Sequence, residues 1–127
     1  MVMILLATLN SENYLEPLLQ SILNQSYQDI KIVIRDNGSD DSTPQIIARY
    51  LEIYSDKIEL CPTSSIARST SQSIFNMLEQ YSADYIMLCE GKNIWQPKEI
   101  EISLKAMQNA ERELSSGTPI LVINNPF

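Results

Sequence analysis

Apolar residues along this chain follow two patterns that alternate from one end to the other. Continuous apolar runs predict five strands: Val2 to Thr8, Ile30 to Ile34, Lys57 to Leu60, Tyr85 to Cys89 and Ile120 to Ile123. Apolar residues three or four positions apart predict four amphipathic helices: Tyr14 to Leu23, Thr43 to Tyr54, Ile74 to Tyr81 and Pro97 to Leu114. We expect Ser11 or Asn13 to cap the first helix and Thr43 to cap the second.

The regular alternation of strands and helices predicts the fold class. Such chains form right-handed crossovers between parallel strands, so we expect an α/β fold: a three-layer α/β/α sandwich with a mainly parallel sheet. Ligands of these sheets bind outside the carboxyl ends of the strands. The polar segments 8–12, 36–39 and 90–93 are expected to meet there.

Length and charge narrow the class of protein further. The chain has 127 residues, which fits a single domain spanning 1–127. Sixteen acidic and nine scattered basic residues give a net charge of -7, which argues against nucleic acid as a partner. The apolar opening, residues 1–7, follows no basic residue and is too short for a signal peptide or a membrane span, so we expect a cytoplasmic protein without a transmembrane segment.

The chain contains no histidine, and this removes several kinds of catalytic site. Ser-His-Asp and Cys-His catalysis and the common zinc sites are excluded. Cys61 and Cys89 have no motif spacing, and we expect both to be core residues. Any chemistry must therefore use carboxylates, lysine, arginine or hydroxyl groups.

Four segments carry a resemblance to a known family. They are ILLATLNSE (4–12), SILNQSY (21–27), IRDNGSDDST (34–43) and ADYIMLCEGKNIWQP (83–97). In order and spacing they resemble the donor-binding part of family-2 glycosyltransferases, inverting enzymes of GT-A fold, and in particular the rhamnosyltransferase-like proteins of bacterial polysaccharide synthesis. The resemblance extends to about Val122. It implies a truncated, Rossmann-like half that binds a nucleotide sugar or a nucleoside diphosphate.

The resemblance also implies which residues contact the donor. The first loop would hold base and ribose, the second would address the base where the family has two aspartates, and an arginine would lie near the diphosphate. The implied donor-binding residues of these loops are Thr8, Asn10, Glu12, Asp36, Asn37 and Arg68. From the residues alone, the same positions also fit two ordinary turns, a carboxylate in the first turn of a helix and a solvated surface arginine.

The fourth loop departs from the family pattern. Relatives have an aspartate cluster there that holds Mg²⁺ or Mn²⁺ against the donor phosphates, whereas this chain has Glu90 and Lys92. Glu90 fills one acidic place, but the charge of Lys92 repels a cation, so we expect the family's metal to be lost. Alternatively, Lys92 replaces the metal's charge and contacts the diphosphate directly.

No residue can be assigned as the catalytic base, because family members carry it in an acceptor-binding part that follows the last strand matched here. We therefore expect a glycosyltransferase-like chain that is impaired or inactive alone, and whether it is an enzyme stays open. One alternative is an active, metal-independent transferase that uses Lys92. Another is a non-catalytic module that pairs with itself or with a full-length transferase, since the open edge of a sheet invites pairing.

Overall fold

The computed structural model describes residues 1–62, 69–89, 92–114 and 120–124, which form five strands and four helices. The strands are β1 (Val2–Thr8), β2 (Ile30–Asp36), β3 (Ile58–Leu60), β4 (Tyr85–Cys89) and β5 (Ile120–Asn124). The helices are α1 (Leu15–Leu23), α2 (Thr43–Ile53), α3 (Thr70–Gln80) and α4 (Glu99–Leu114). None of these helices combines the length and the apolar character that a membrane span requires.

The strands form one parallel sheet in the order β3-β2-β1-β4-β5. The central strand, β1, pairs with β2 so that Thr8 lies opposite Asp36, and with β4 so that Leu6 lies opposite Cys89. A central strand is covered on both faces, which explains why β1 is apolar at successive positions rather than at alternate ones. The predicted α/β fold with a parallel sheet is confirmed.

Helices cover both faces of the sheet, as predicted. Ile4 and Leu6 of β1 belong to a core that includes buried residues of α1, α2 and α4, whereas Leu5 belongs to a smaller core with α3. The alternation follows from the two-residue repeat of side chains along a strand. Cys61 and Cys89 are both buried, as expected of core thiols.

The prediction that every crossover is right-handed is wrong for α4. From β1 to β3 the chain adds strands on one side of β1, and from β4 to β5 it adds strands on the other side. If all crossovers had the same hand, α1 and α4 would therefore lie on opposite faces of the sheet. Instead, α4 packs into the same core as α1. The connection through α4 therefore has the opposite hand to the connection through α1.

Hydrogen bonds from a buried amide explain this position of α4. The Gln25 side chain, just past α1, is only 2% exposed. Its Nε2 donates to the carbonyl groups of Ser21 and Gln96, and its Oε1 accepts from the N–H of Ile100 at 3.0 Å. The Ser26 N–H also donates to the Pro97 carbonyl at 2.8 Å. The segment between β4 and α4 is thus fastened to the end of α1.

Three predicted helix starts differ from the structure. The third helix begins at Thr70 rather than at Ile74, since the Ser69 side chain caps it by accepting from the Gln72 N–H. The other two shift because other groups take up the local hydrogen bonds. The fourth helix begins at Glu99 rather than at Pro97, since the Pro97 carbonyl is used by Ser26 and the Gln96 N–H donates to the Glu99 side chain at 2.6 Å. For α1, neither Ser11 nor Asn13 is the cap; the N-cap position is Tyr14, without a side-chain hydrogen bond.

We expect Gln25→Ala to lower the free energy of unfolding by about 1–3 kcal/mol, because it leaves the buried partners of one amide without hydrogen bonds. Chemical denaturation measures this loss. Gln28→Ala is the matched control, since Gln28 is exposed in the same segment, although it too donates to backbone carbonyls. A loss at Gln25 no larger than that at Gln28 would contradict the fastening role.

Candidate functional site at the carboxyl edge of the sheet

The loops that follow β1 and β2 are joined by the Asp36 carboxylate. Its Oδ1 accepts from the Thr8 hydroxyl at 2.7 Å and from the Ser39 hydroxyl at 2.6 Å, and its Oδ2 accepts from the Ser39 N–H at 3.0 Å. The Asn37 N–H donates to the Thr8 carbonyl at 2.8 Å. Gly38 supplies the positive φ of 88° that this turn needs and that side chains disfavour.

A second set of hydrogen bonds extends this contact between the loops. Asn10, itself at a positive φ of 47°, donates from its N–H to the Ser39 hydroxyl and accepts at Oδ1 from the Asp40 N–H, both at 2.8 Å. The Glu12 carboxylate accepts from the Ser42 N–H at 2.9 Å, and the Glu12 N–H donates to Asp41. The two loops therefore form one rigid unit rather than two separate turns.

The prediction that Thr43 caps α2 is wrong, because its hydroxyl has a partner outside the helix. Thr43 Oγ1 accepts from the Ser11 N–H at 2.7 Å, and the N-cap position is Ser42. The Thr43 N–H is satisfied instead by Asp41 Oδ1 at 2.9 Å. The start of α2 is thereby tied to the loop after β1.

The pKa of Asp41 lies below its ordinary value of 3.8. Desolvation, the largest single influence, raises this pKa, but hydrogen bonds from the Thr43 hydroxyl and N–H and from the Glu12 N–H together lower it by more. These donors favour the charged carboxylate. Asp41 is therefore an ionised link between the loops.

A pocket of about 280 Å³ opens beside this unit, between the carboxyl ends of β1 and β4. The strand order reverses between these two strands, and such a point is where α/β sheets bind ligands. The inner wall is apolar and includes Leu6, Leu15 and Leu18, and the polar lining includes Thr8 and Ser11. The pocket can therefore hold a part of a nucleotide-sized ligand with polar groups at one side.

Tyr14 and Lys92 face each other at this pocket. The Lys92 Nζ lies 5.4 Å from the centroid of the Tyr14 ring, a distance typical of a cation–π contact. The Tyr14 hydroxyl lies 2.9 Å from the Ser11 Oγ. Both residues line the pocket, so an aromatic ring and an ammonium group are placed where a bound ligand would contact them.

Comparison with known proteins assigns this architecture to a family. The sequence pattern of glycosyl transferase family 2 matches residues 3–127. The chain belongs to glycosyl transferase family 2. It is 28% identical over 123 residues to a putative glycosyltransferase of Bacillus subtilis, EpsE, covering 97% of this chain and 44% of EpsE.

One further sequence relative and one solved structure are similar to most of this chain. The dTDP-rhamnosyl transferase RfbG of Shigella flexneri is 28% identical over 107 residues, which are 80% of this chain and 36% of RfbG. The crystal structure of S. aureus TarS 1-349 in complex with UDP superposes with a TM-score of 0.68 at 17% identity, over 85% of this chain and 32% of that structure. The GT-A fold is thus confirmed, and the chain spans less than half of the length of these proteins.

The structure brings together most of the residues that the family resemblance nominates, and their contact with a donor stays a prediction. Of the nominated residues that are described, Thr8 and Lys92 line the pocket. Four others make the hydrogen bonds that join the two loops: Asn10, Glu12, Asp36 and Asn37. Arg68 and Glu90 lie outside the described residues.

The lining of the pocket includes residues that sequence reasoning missed. Tyr14 was assigned only to the start of a helix, and Ser11 only to its cap. A signal for both was the spacing Ser11-x-x-Tyr14, which places two hydroxyl groups within one turn. The contact with Lys92 joins positions 78 residues apart (92 − 14) and had no local signal.

The described residues do not supply the ligands of the divalent metal that the family resemblance implies. Within residues 1–62, 69–89, 92–114 and 120–124, no group of three or more acidic or thiol side chains is placed to hold a metal ion. Carboxylate oxygens are the ligands that Mg²⁺ and Mn²⁺ prefer, and an ammonium group offers only donors. Glu90, the acidic residue nominated at this position, lies outside the described residues.

We expect Asp41→Asn to be less stable than the parent protein at neutral pH. Because the folded state lowers the pKa of Asp41, its contribution is complete above the ordinary value of 3.8 and is lost as pH falls through the lower, folded-state value. Urea denaturation at decreasing pH should show the two proteins converging. Asp40→Asn, which removes the same charge at the neighbouring position, is the control and should be as stable as the parent protein at neutral pH. An equal loss of stability in both variants would contradict the role of Asp41 as the link.

Proposed function

We propose that this chain is the donor-binding half of a family-2 glycosyltransferase of polysaccharide synthesis and that it does not transfer sugar alone. Its pocket binds the nucleoside diphosphate part of a nucleotide sugar. The observation that carries this proposal is the position of the pocket, at the reversal of strand order between β1 and β4. Fold alone would not carry it, because one fold serves many functions.

The chemistry of the pocket supports this ligand. Leu15 and Leu18 offer apolar contact, and Lys92 offers a positive charge. A nucleoside diphosphate combines a flat, weakly polar base with a strongly anionic end, so it uses both kinds of surface. The volume of about 280 Å³ suits part of such a ligand, since pockets for whole drug-sized molecules begin at roughly 300 Å³.

Two relationships support the choice of donor and the lack of independent activity. RfbG is a dTDP-rhamnosyl transferase, and the TarS structure holds UDP. The base of an inverting transferase must reach the acceptor hydroxyl, and the carboxylates of the loop unit, Glu12, Asp36 and Asp41, are engaged in hydrogen bonds between loops. None of these three carboxylates is therefore assigned as the base.

The setting of this function is the cytoplasm, where nucleotide sugars are made. The partner is a second transferase chain or a second copy of this one, which would pair along β5. This strand ends the five-stranded sheet on the side away from β3, and an open edge presents unpaired backbone groups.

Isothermal titration with UDP, dTDP and GDP tests the proposal. At least one should bind, and Leu9→Trp should weaken that binding about tenfold or more, since Leu9 lines the pocket and a larger side chain obstructs it. Ile53→Trp is the matched control, because Ile53 is exposed on α2. No binding by any of the three nucleotides, or equal binding by both variants, would contradict the proposal.

A further inference from the structure

The Tyr14 ring is held in place by Ser11, which precedes it in the loop after β1. Its hydroxyl lies 2.9 Å from the Ser11 Oγ, and the Tyr14 N–H donates to the Ser11 carbonyl at 3.1 Å. Ser11 is only 1% exposed and is itself fastened, through its N–H, to the Thr43 hydroxyl at the start of α2. The position of the ring is therefore set by the loop unit rather than by Tyr14 alone.

The Lys92 ammonium is held against this ring without losing its capacity to bind an anion. A cation 5.4 Å from a ring centroid is attracted to the negative face of the ring. An ammonium group has three N–H donors, and a ring face accepts none of them in a full hydrogen bond. The group can therefore keep this contact and still donate to phosphate oxygens.

The charge of the pocket is opposite to the charge of the protein. Lys92 is the one charged side chain among the described residues of the lining, whereas the whole chain has a net charge of -7. A divalent cation entering this pocket would meet a positive charge and no described carboxylate. An anion would meet the ammonium group of Lys92, since the Thr8 hydroxyl already donates to Asp36 and the Ser11 and Tyr14 hydroxyls are hydrogen-bonded to each other.

We propose that Lys92 binds the diphosphate of the donor in place of a divalent cation and that Tyr14 is the positioning residue for Lys92. Donor binding then requires no metal. This inference rests on the proposed function, and it adds the chemical group that the pocket selects. The ring restricts the lysine side chain to the side of the pocket formed by β4, so less side-chain entropy is lost when the anion binds.

The test compares binding of uridine and UDP, in a chelator and then with Mn²⁺, for the parent protein, Lys92→Met and Lys98→Met. If dTDP or GDP binds more tightly than UDP, that nucleotide replaces UDP in the test and its nucleoside replaces uridine. In the parent protein, UDP should bind more tightly than uridine, and its affinity should be the same in the chelator as with Mn²⁺.

Lys92→Met should weaken UDP binding about tenfold or more, the range of a charge-assisted hydrogen bond, and leave uridine binding unchanged. Lys98, exposed in the same segment, is the control, and its variant should bind as the parent does.

Two substitutions of Tyr14 separate a positioning role from a structural one. Tyr14→Phe keeps the ring face, whereas Tyr14→Leu removes it. Tyr14→Leu should weaken UDP binding more than Tyr14→Phe, and it should have no further effect in a protein that already carries Lys92→Met, because residues that act through one contact are not additive. Thermal unfolding confirms that each variant is folded.

The outcomes separate the two proposals. Binding of UDP that depends on Mn²⁺, or that is unchanged in Lys92→Met, overturns the inference while the nucleotide-binding function stands. An equal effect of Tyr14→Leu with and without Lys92→Met overturns the positioning role. Failure of the parent protein to bind any of the three nucleotides overturns the proposed function and the inference with it.

Discussion

The buried amide of Gln25 is the interaction on which the rest of the site depends. It connects the end of α1 to the backbone on both sides of the start of α4, and it is 2% exposed, so its hydrogen bonds are not exchanged with water. Through this contact the segment after β4 is directed over the face that carries α1. Lys92 lies in that segment, and it consequently meets Tyr14 at the pocket.

Much of the fold was predictable because it depends on patterns that are local in sequence. A strand covered on both faces must be apolar throughout, so β1 and β4 were found with the observed ends. The cap of α2 and the start of α4 were less predictable, since their hydrogen bonds have distant partners: Thr43 binds Ser11, 32 residues away, and Pro97 binds Ser26. The hand of the α4 connection was predicted wrongly for the same reason, since it depends on the hydrogen bond between Gln25 and the distant Ile100.

The site could be predicted in outline but not in the role of each residue. Asp36 and Asn10 were nominated as donor ligands, and that role stays a prediction. What the sequence did not show is that the same two residues join two loops. Residue type could not distinguish these roles, because a carboxylate that binds a nucleotide and one that braces a turn look alike in sequence. Lys92 was recognisable because its charge contradicts the pattern of the family, whereas its partner Tyr14 depends on tertiary contact.

The pocket between β1 and β4 is the proposed binding place of a nucleoside diphosphate. Amide chemical-shift perturbation on adding the tightest-binding nucleotide locates the site most directly, since each N–H reports its own surroundings. We expect the largest changes at Leu9, Ser11, Tyr14 and Lys92, which line this pocket. Changes concentrated along α3, on the other face of the sheet, would contradict it.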